Sequence, residues 1–213
     1  MSKYQEISEA VQKGRKKQVL DYIQSALDEK LEAKDILNEG LLAAMDVVGD
    51  KFKNNEIYVP EMLIAARAMS AGMEVLKPYL SEAGVEPIGK AVIGTVKGDL
   101  HDIGKNLVRM MFEGKGIEVV DLGVDVPAER FVEAVETERA QIVACSALLT
   151  TTMGEIKNVV ECFNERGLRD KVTIMVGGAP VTDAYCKEIG ADFYSPDAAS
   201  AADIARETLT GGR

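Results

Sequence analysis

The stretch that decides the fold is KAVIGTVKGDLHDIGKNLVRM, residues 90–110. It opens with a short apolar run from Ala91, passes through a polar loop with two glycines, and continues from Lys105 in an amphipathic pattern. This order predicts a buried strand followed by a helix. The loop, residues 97–106, would then leave the carboxyl end of the strand.

The same alternation continues to the end of the chain. Further apolar runs begin at Ile117, Gln141, Val172 and Ala191, and amphipathic stretches cover residues 128–138, 152–166 and 181–189 before a final helix. Strand alternating with helix five times predicts a five-stranded parallel sheet covered on both faces, a doubly wound, flavodoxin-like (Rossmann-like) α/β architecture. Such sheets bind ligands at the carboxyl ends of their strands.

The N-terminal part has a different periodicity. Up to about residue 82 the apolar residues recur at spacings of three and four, which predicts helices at about 2–12, 16–31, 34–53 and 60–80. Four helices with short links favour a small bundle. Because residues 81–89, SEAGVEPIG, read as a break, we expect a helical bundle cap domain over 1–85 and an α/β domain over 86–213.

Composition limits the possible classes of protein. The 213 residues are 46% hydrophobic with a net charge of −10, which excludes disorder and disfavours nucleic acid or an anionic membrane as partner. The chain has neither a long apolar run nor the apolar centre of a signal peptide, so we expect it in the cytoplasm. Three widely spaced cysteines are typical of reduced thiols.

The first loop contains the one histidine, His101. A neutral imidazole can bind a metal through one nitrogen while the other donates to a carboxylate, and Asp99 is a suitable acceptor. Alternatively, His101 is a surface residue and Asp99 or Asp102 caps the following helix. A centre with several histidines is excluded within one chain.

Two further loops carry candidate ligand contacts. The loop after the third predicted strand offers hydroxyls at Ser146, Thr150, Thr151 and Thr152. The loop after the fourth has adjacent glycines, Gly177 and Gly178, which allow close backbone approach to a ligand. Taken singly, the hydroxyl residues are also typical of helix caps, and the glycine pair is typical of a turn. Three such loops at one sheet edge favour a ligand site.

Together the three loops resemble the signature of the cobalamin-binding proteins related to the corrinoid domain of methionine synthase, Asp-x-His-x-x-Gly, Ser-x-Leu and Gly-Gly. Here Asp99 to Gly104 is followed by 41 residues, then Ser146 to Leu148, then 28 residues and the glycine pair. Upstream, KFKNNEIYVPEMLIAARAM, residues 51–69, resembles the helical cap module of methyl-transferring members. The chain is most similar to the small corrinoid proteins of methylamine, methanol and related methyltransferase systems.

The resemblance implies a role for each motif residue. His101 would replace the corrinoid's own dimethylbenzimidazole as lower cobalt ligand, the base-off form, with Asp99 as its hydrogen-bond partner. Thr152 stands where methionine synthase has a serine that completes this relay. Ser146 and Leu148 would line the pocket for the nucleotide tail, and the glycine pair would admit it. The expected cofactor-binding set also includes Gly98, Asp102, Ile103, Gly104 and Thr150.

The resemblance also implies an apolar cover over the upper face of the corrinoid. The candidates lie around the start of the fourth predicted helix: Tyr58, Val59, Met62, Leu63, Ala66 and Met69. Because apolar side chains at helical spacing usually belong to a core, these residues have that alternative interpretation.

The expected function is methyl transfer in one-carbon metabolism, as a cobalt-carrying subunit without a complete active site. The chain has no room for a substrate-binding barrel, so the expected partners are a substrate-specific barrel methyltransferase, an acceptor methyltransferase acting on coenzyme M or tetrahydrofolate, and a reductive activator. The alternatives are a cobalamin-dependent sensor or regulator, an adenosylcobalamin mutase subunit, and a flavodoxin-like signalling domain without cobalamin. Residues 1–85 hold more acidic than basic groups, which disfavours a DNA-binding regulator.

Overall fold

The computed structural model describes residues 2–211, and they form two compact units. The first comprises the described residues through Pro87 together with Glu113–Gly116, and the second comprises Ile88–Phe112 and the described residues from Ile117 onward. The division at Pro87 falls two residues after the predicted boundary.

The first unit is helical. Its helices are α1 (Lys3–Gln12), α2 (Lys16–Asp28), α3 (Ala33–Asp35), α4 (Ala43–Lys53) and α5 (Val59–Glu82), with a π-helical segment, Ile36–Leu42, joining α3 to α4. The third predicted helix is thus one continuous helical stretch that contains a π segment. The second ends three residues earlier than predicted, because Lys30 adopts a positive φ of 62°.

Two local features shape the helical unit: the cap at the start of α1 and a glycine inside α5. The Ser2 hydroxyl and the Gln5 side chain accept reciprocally from each other's backbone N–H groups at the start of α1. Gly72 in α5 allows close packing, because a Cβ there would lie 2.8 Å from Cδ1 of Ile23 in α2. The apolar faces therefore meet in a closely packed helical core.

The second unit is the predicted doubly wound α/β domain. Its strands are β1 (Gly89–Thr95), β2 (Ile117–Asp121), β3 (Ile142–Ser146), β4 (Thr173–Gly177) and β5 (Phe193–Tyr194). Its helices are α6 (Ile103–Glu113), α7 (Ala128–Glu138), α8 (Met153–Glu165), α9 (Asp183–Ile189) and α10 (Ala198–Thr210), with a short 3-10 turn at Arg169–Lys171. The five-stranded, all-parallel sheet is confirmed, with the strand order β2-β1-β3-β4-β5.

The strand order positions the site. From β1 the chain moves outward to β2 and then returns past β1 to β3, so the direction of winding reverses between β1 and β3. Such a reversal opens a crevice at the carboxyl ends of the two strands, where ligands bind. β1 is buried from Ala91 to Thr95, and Gly94 lets the ring of Phe131 in α7 pack directly on the strand, since a Cβ would lie 2.7 Å from its Cζ.

Candidate functional site

The three motif loops leave the same edge of the sheet. In the parallel register Thr95 of β1 lies beside Ser146 of β3, and Ser146 lies beside Gly177 of β4. The Ala147 N–H donates to the Gly177 carbonyl at 3.2 Å, which extends the pairing by one residue. The loops that carry Asp99, Leu148 and Gly178 therefore begin side by side.

The carboxylate of Asp99 is the centre of the site. Asp99 is fully buried, and its Oδ1 lies 2.7 Å from Nδ1 of His101 and accepts from the His101 backbone N–H at 3.1 Å. Its Oδ2 accepts from the backbone N–H of Leu148 at 2.7 Å, that of Leu149 at 3.3 Å, and the Thr152 hydroxyl at 2.7 Å. Both carboxylate oxygens are thus occupied by donors from two loops.

These donors decide the charge of Asp99. Burial by itself raises the pKa of the Asp99 carboxyl, but hydrogen bonds from Thr152, Leu148 and His101 outweigh it and hold that pKa well below its usual range. Asp99 is therefore an anion at neutral pH, fixed in one orientation.

The imidazole of His101 is held on one side and open on the other. An ionised carboxylate can only accept, so the proton of the neutral ring lies on Nδ1 and Nε2 carries a lone pair. The hydroxyl of Thr95, itself fully buried, donates to the His101 carbonyl at 2.8 Å and fixes the backbone. The His101 side chain is 50% exposed, and no residue within 2–211 hydrogen-bonds to Nε2. This nitrogen can bind a metal.

Thr152 is placed where the resemblance expected a relay hydroxyl. It is buried and directly precedes α8, yet its side chain does not cap that helix. Its hydroxyl donates to Asp99 instead and lies 3.0 Å from the Leu149 carbonyl. Asp99, His101 and Thr152 thus form one hydrogen-bonded chain.

Exposed apolar side chains lie on the loops that carry the Thr152–Asp99–His101 hydrogen bonds. Leu100 and Ile103, which flank His101 in sequence, are 72% and 73% exposed, and Leu148 and Leu149 of the β3 loop are also exposed. Four large aliphatic side chains open to solvent on neighbouring loops are typical of a surface that receives an apolar ligand. Sequence analysis missed Leu100 and Leu149, although aliphatic residues in a loop between polar neighbours were a usable signal.

The three motif glycines differ in what a side chain at each position would contact. A Cβ on Gly104 would meet no atom within 4 Å, so no packing within the chain explains the absence of a side chain. Gly177 also has room, since a Cβ would lie 3.6 Å from the Ser195 carbonyl oxygen. Gly178 has a φ of 121°, and its Cβ would lie 1.8 Å from the Ala147 carbonyl oxygen. The close approach at Gly178 is therefore to the chain itself.

The remaining predicted contact residues occupy the same loops. Ser146 is partly buried, and its carbonyl accepts from the Val96 N–H at 3.0 Å. Thr150 is exposed. The Asp102 carboxylate accepts from Nδ2 of Asn106 at 3.0 Å, and its carbonyl accepts from the Asn106 N–H, so Asp102 also supports the start of α6.

The predicted cover residues belong to the helical unit. Tyr58, directly before α5, is 66% exposed, whereas Met62, Ala66 and Met69 are buried. The Tyr58 N–H donates to the Glu61 carboxylate at 3.1 Å, which fixes the start of the helix. The role of these residues as a cover stays a prediction.

Sequence analysis also missed Thr95 and Asp125. Asp125, in the loop between β2 and α7, accepts from the Gly98 N–H at 2.7 Å and donates its own N–H to the Asp99 carbonyl at 3.0 Å. The partners of Thr95 and Asp125 are backbone N–H and carbonyl groups, so the pattern of side chains in the sequence does not predict these contacts.

The donor set offers one side chain, His101, to a metal. Within residues 2–211, no group of three or more His, Cys, Asp or Glu side chains is arranged to hold a metal ion. A metal-containing group held by His101 would bring its other ligands with it, and the exposed aliphatic side chains on the same loops offer it an apolar surface. No helix within 2–211 has the length and apolarity needed to cross a bilayer.

The fold and site together define a binding protein for a metal macrocycle at the switch point of a parallel sheet. Comparison with known proteins agrees: residues 89–203 match a family described as B12 binding domain, and residues 4–77 match a second family with the same description. The chain belongs to the family of B12-binding corrinoid proteins, and its cofactor is a corrinoid.

Similar proteins span nearly the whole chain. The dimethylamine corrinoid protein of Methanosarcina barkeri is 43% identical over 206 residues, covering 96% of each chain. A corrinoid protein of Desulfitobacterium hafniense is 39% identical over 212 residues, covering 98% of each. A solved structure of the methanol:cobalamin methyltransferase complex MtaBC from Methanosarcina barkeri contains a similar chain, with a TM-score of 0.89, 32% identity, and coverage of 98% of this chain and 80% of that one.

Proposed function

We propose that this protein carries a methyl group on corrinoid cobalt between a methyltransferase specific for a methylamine or methanol and a second methyltransferase acting on coenzyme M or tetrahydrofolate. The hydrogen-bonded chain Thr152–Asp99–His101 is the observation that carries the proposal, because it prepares one imidazole nitrogen as a metal ligand. When bound, the corrinoid would supply cobalt, the atom that carries the methyl group, and His101 would hold it.

His101 is the proposed lower ligand, and Asp99 sets its properties. Hydrogen bonding of Nδ1 to an anionic carboxylate fixes the tautomer and the orientation of the ring, and leaves the lone pair of Nε2 available to a metal. Thr152 and the N–H groups of Leu148 and Leu149 hold the carboxylate in place. The ligand is therefore oriented before the cofactor arrives, and its electron donation is set by this network.

The apolar loop residues would seat the lower face of the ring system. Leu100, Ile103 and Leu148 are exposed, so their contact with a macrocycle would remove aliphatic surface from water. Ser146 and Gly177 lie side by side at the next strand ends, and that placement supports the expected role of this loop pair in holding the nucleotide tail.

The proposed partners supply the substrate-binding barrel that residues 2–211 do not form. Neither of the two described units is a substrate-binding barrel, and we propose that a second protein presents the methyl donor. The similar chain in the methanol:cobalamin methyltransferase complex supports a methyltransferase partner, and the name of the dimethylamine corrinoid relative supports a methylamine donor as well. We include an acceptor methyltransferase and a reductive activator in the proposal.

The test is reconstitution with hydroxocobalamin followed by electron paramagnetic resonance of the Co(II) form. Wild-type protein should stay red after desalting, with one corrinoid per chain, and show nitrogen coupling that changes from a triplet to a doublet with ¹⁵N-histidine. His101→Ala should lose this coupling. Lys97→Ala is the matched control, because it changes an exposed residue of the same loop that lies outside the expected cofactor-binding set, and it should keep the coupling. Histidine coupling absent from wild-type protein would reject the proposed ligand.

A transfer assay tests the carrier role. The reduced holoprotein should accept a methyl group when mixed with a methyltransferase encoded near its gene and its substrate. His101→Ala should accept it more slowly. A holoprotein that no neighbouring methyltransferase can methylate would contradict the carrier role, even with His101 ligation intact.

A further inference from the structure

The loop that follows β2, residues 122–127, is bonded to the loop that carries His101. The Thr95 N–H donates to the Gly123 carbonyl at 3.0 Å, and the Val126 N–H donates to the Thr95 carbonyl at 3.0 Å. Val96 and Val126 form an isolated parallel bridge. The β2 loop therefore runs alongside the last residues before the Gly98–Asp99 turn.

Asp125 makes the two contacts of this loop that reach the turn itself. Its carboxylate accepts from the Gly98 N–H at 2.7 Å, and its N–H donates to the Asp99 carbonyl at 3.0 Å. The peptide groups on both sides of this turn are thereby fixed by one residue. Asp99 then directs its carboxylate to Nδ1 of His101 at 2.7 Å.

The backbone of Asp125 adopts a left-handed conformation. Its φ is 54°, in the region that glycine, asparagine and aspartate adopt more readily than other residues. Glycine would adopt this conformation freely, as Gly123 does two residues earlier with a φ of 85°. Glycine, however, would have no carboxylate for the Gly98 N–H.

The ordinary reason for an aspartate before a helix does not apply here. Aspartate often caps the first turn of a following helix. Pro127 occupies the N-cap position of α7, and no side chain caps that helix. The carboxylate of Asp125 is turned toward Gly98 instead.

We infer that Asp125 is a positioning residue for the lower cobalt ligand, acting by holding the Gly98–Asp99 turn so that Asp99 presents the His101 ring in one orientation. This inference rests on the proposed ligation by His101. Without the carboxylate of Asp125 the turn samples other conformations, and Nε2 of His101 spends less time in the position that binds cobalt.

The test compares three variants by two measurements. Asp125→Gly removes the acceptor and relieves the positive φ, whereas Asp125→Asn keeps an acceptor and a residue type that tolerates this φ. Arg139→Gly is the matched control, because Arg139 ends α7 with a φ of 55° and precedes the amino end of β3, at the opposite edge of the sheet. The measurements are amide hydrogen exchange at Gly98 without cofactor, and the histidine-coupled fraction of the Co(II) signal after loading with hydroxocobalamin.

The expected result is specific to Asp125. Asp125→Gly should exchange the Gly98 amide about tenfold faster and should lower the histidine-coupled fraction, with the lost signal appearing as uncoupled cobalt. Asp125→Asn should restore most of both values, and Arg139→Gly should match wild type.

Three results would overturn the inference. They are an unchanged coupled fraction in Asp125→Gly, an equal loss in Arg139→Gly, and no recovery in Asp125→Asn. Should Asp125→Gly not fold, Asp125→Ala takes its place: it also removes the acceptor and should speed Gly98 exchange and lower the coupled fraction, and wild-type values of both in Asp125→Ala would reject the inference. If wild-type protein shows no histidine coupling, the proposed function fails, whereas Gly98 exchange still tests the bond to Asp125.

Discussion

Two loops at the same edge of the sheet carry motif residues of the family, yet the chain uses them differently. The loop after β1 is held by hydrogen bonds to Asp99, which is buried and fixes a half-exposed imidazole. The loop after β4 is held by close backbone approach at Gly178. The first motif is arranged around one buried carboxylate, whereas part of the second is required by folding.

The comparison separates two kinds of residue within one signature. Asp99 is buried and joined to two loops by hydrogen bonds that require its carboxylate. Gly178 is required because a Cβ there would overlap the Ala147 carbonyl oxygen. Substitutions should therefore destabilise the first loop by removing hydrogen bonds and the second by steric overlap.

The largest effect is expected for Gly178→Ala. Its Cβ would lie 1.8 Å from the Ala147 carbonyl oxygen at a φ of 121°, so the two strand ends must separate. We expect a loss of about 3 kcal/mol or more in the free energy of unfolding, measured by urea denaturation of the cofactor-free protein. Gly177→Ala is the matched control and should lose about 1 kcal/mol or less, because its Cβ has room. Equal stability of the two variants would remove the distinction between the loops.

The next effect concerns the charge of Asp99. Its pKa in the folded protein is lowered by donated hydrogen bonds, so the ionised carboxylate stabilises the fold above the unfolded value of about 3.9, and this contribution declines as pH falls below it. Asp99→Asn should therefore lose about 1.5–3 kcal/mol at pH 7. The difference from wild type should shrink below about pH 4.

Urea denaturation of both proteins at neutral and acidic pH measures this difference. Asp102→Asn is the control, because its exposed carboxylate lies outside the relay, and it should show no comparable pH-dependent gap. A gap between wild type and Asp99→Asn that stays constant down to pH 3 would show that the charge of Asp99 does not act through the bonds described.

Much of this architecture could be predicted from the sequence because its signals are periodic. The apolar run from Ala91 and its four successors predicted five parallel strands, and the structure confirms them. The π segment Ile36–Leu42 could not be predicted, since the apolar spacing of a helix hardly changes when one turn widens.

The site was predictable where residue types carry the chemistry. A lone histidine two residues after an aspartate pointed to the pair that lies 2.7 Å apart. Asp125 and Thr95 were not predictable, because they act on backbone groups of residues distant in sequence or across a turn. The role of Gly178 also depends on a neighbouring strand, which a single loop sequence does not reveal.

The smallest effect sharpens the comparison at Thr152, in the loop after β3, whose hydroxyl supports Asp99 in the loop after β1. Its hydroxyl donates to Asp99 at 2.7 Å, so Thr152→Val, of nearly equal shape, leaves that carboxylate with one donor fewer and should lose about 1–2 kcal/mol in the free energy of unfolding. Thr152→Ser keeps the donor and removes one buried methyl group, for which we expect about 0.8 kcal/mol. The corrinoid-loaded forms should differ in the same order, with the histidine-coupled Co(II) fraction lowered in the Val variant and retained in the Ser variant. If the Ser variant loses as much coupling as the Val variant, the hydroxyl by itself does not position Asp99, and packing of the Thr152 methyl group is required as well.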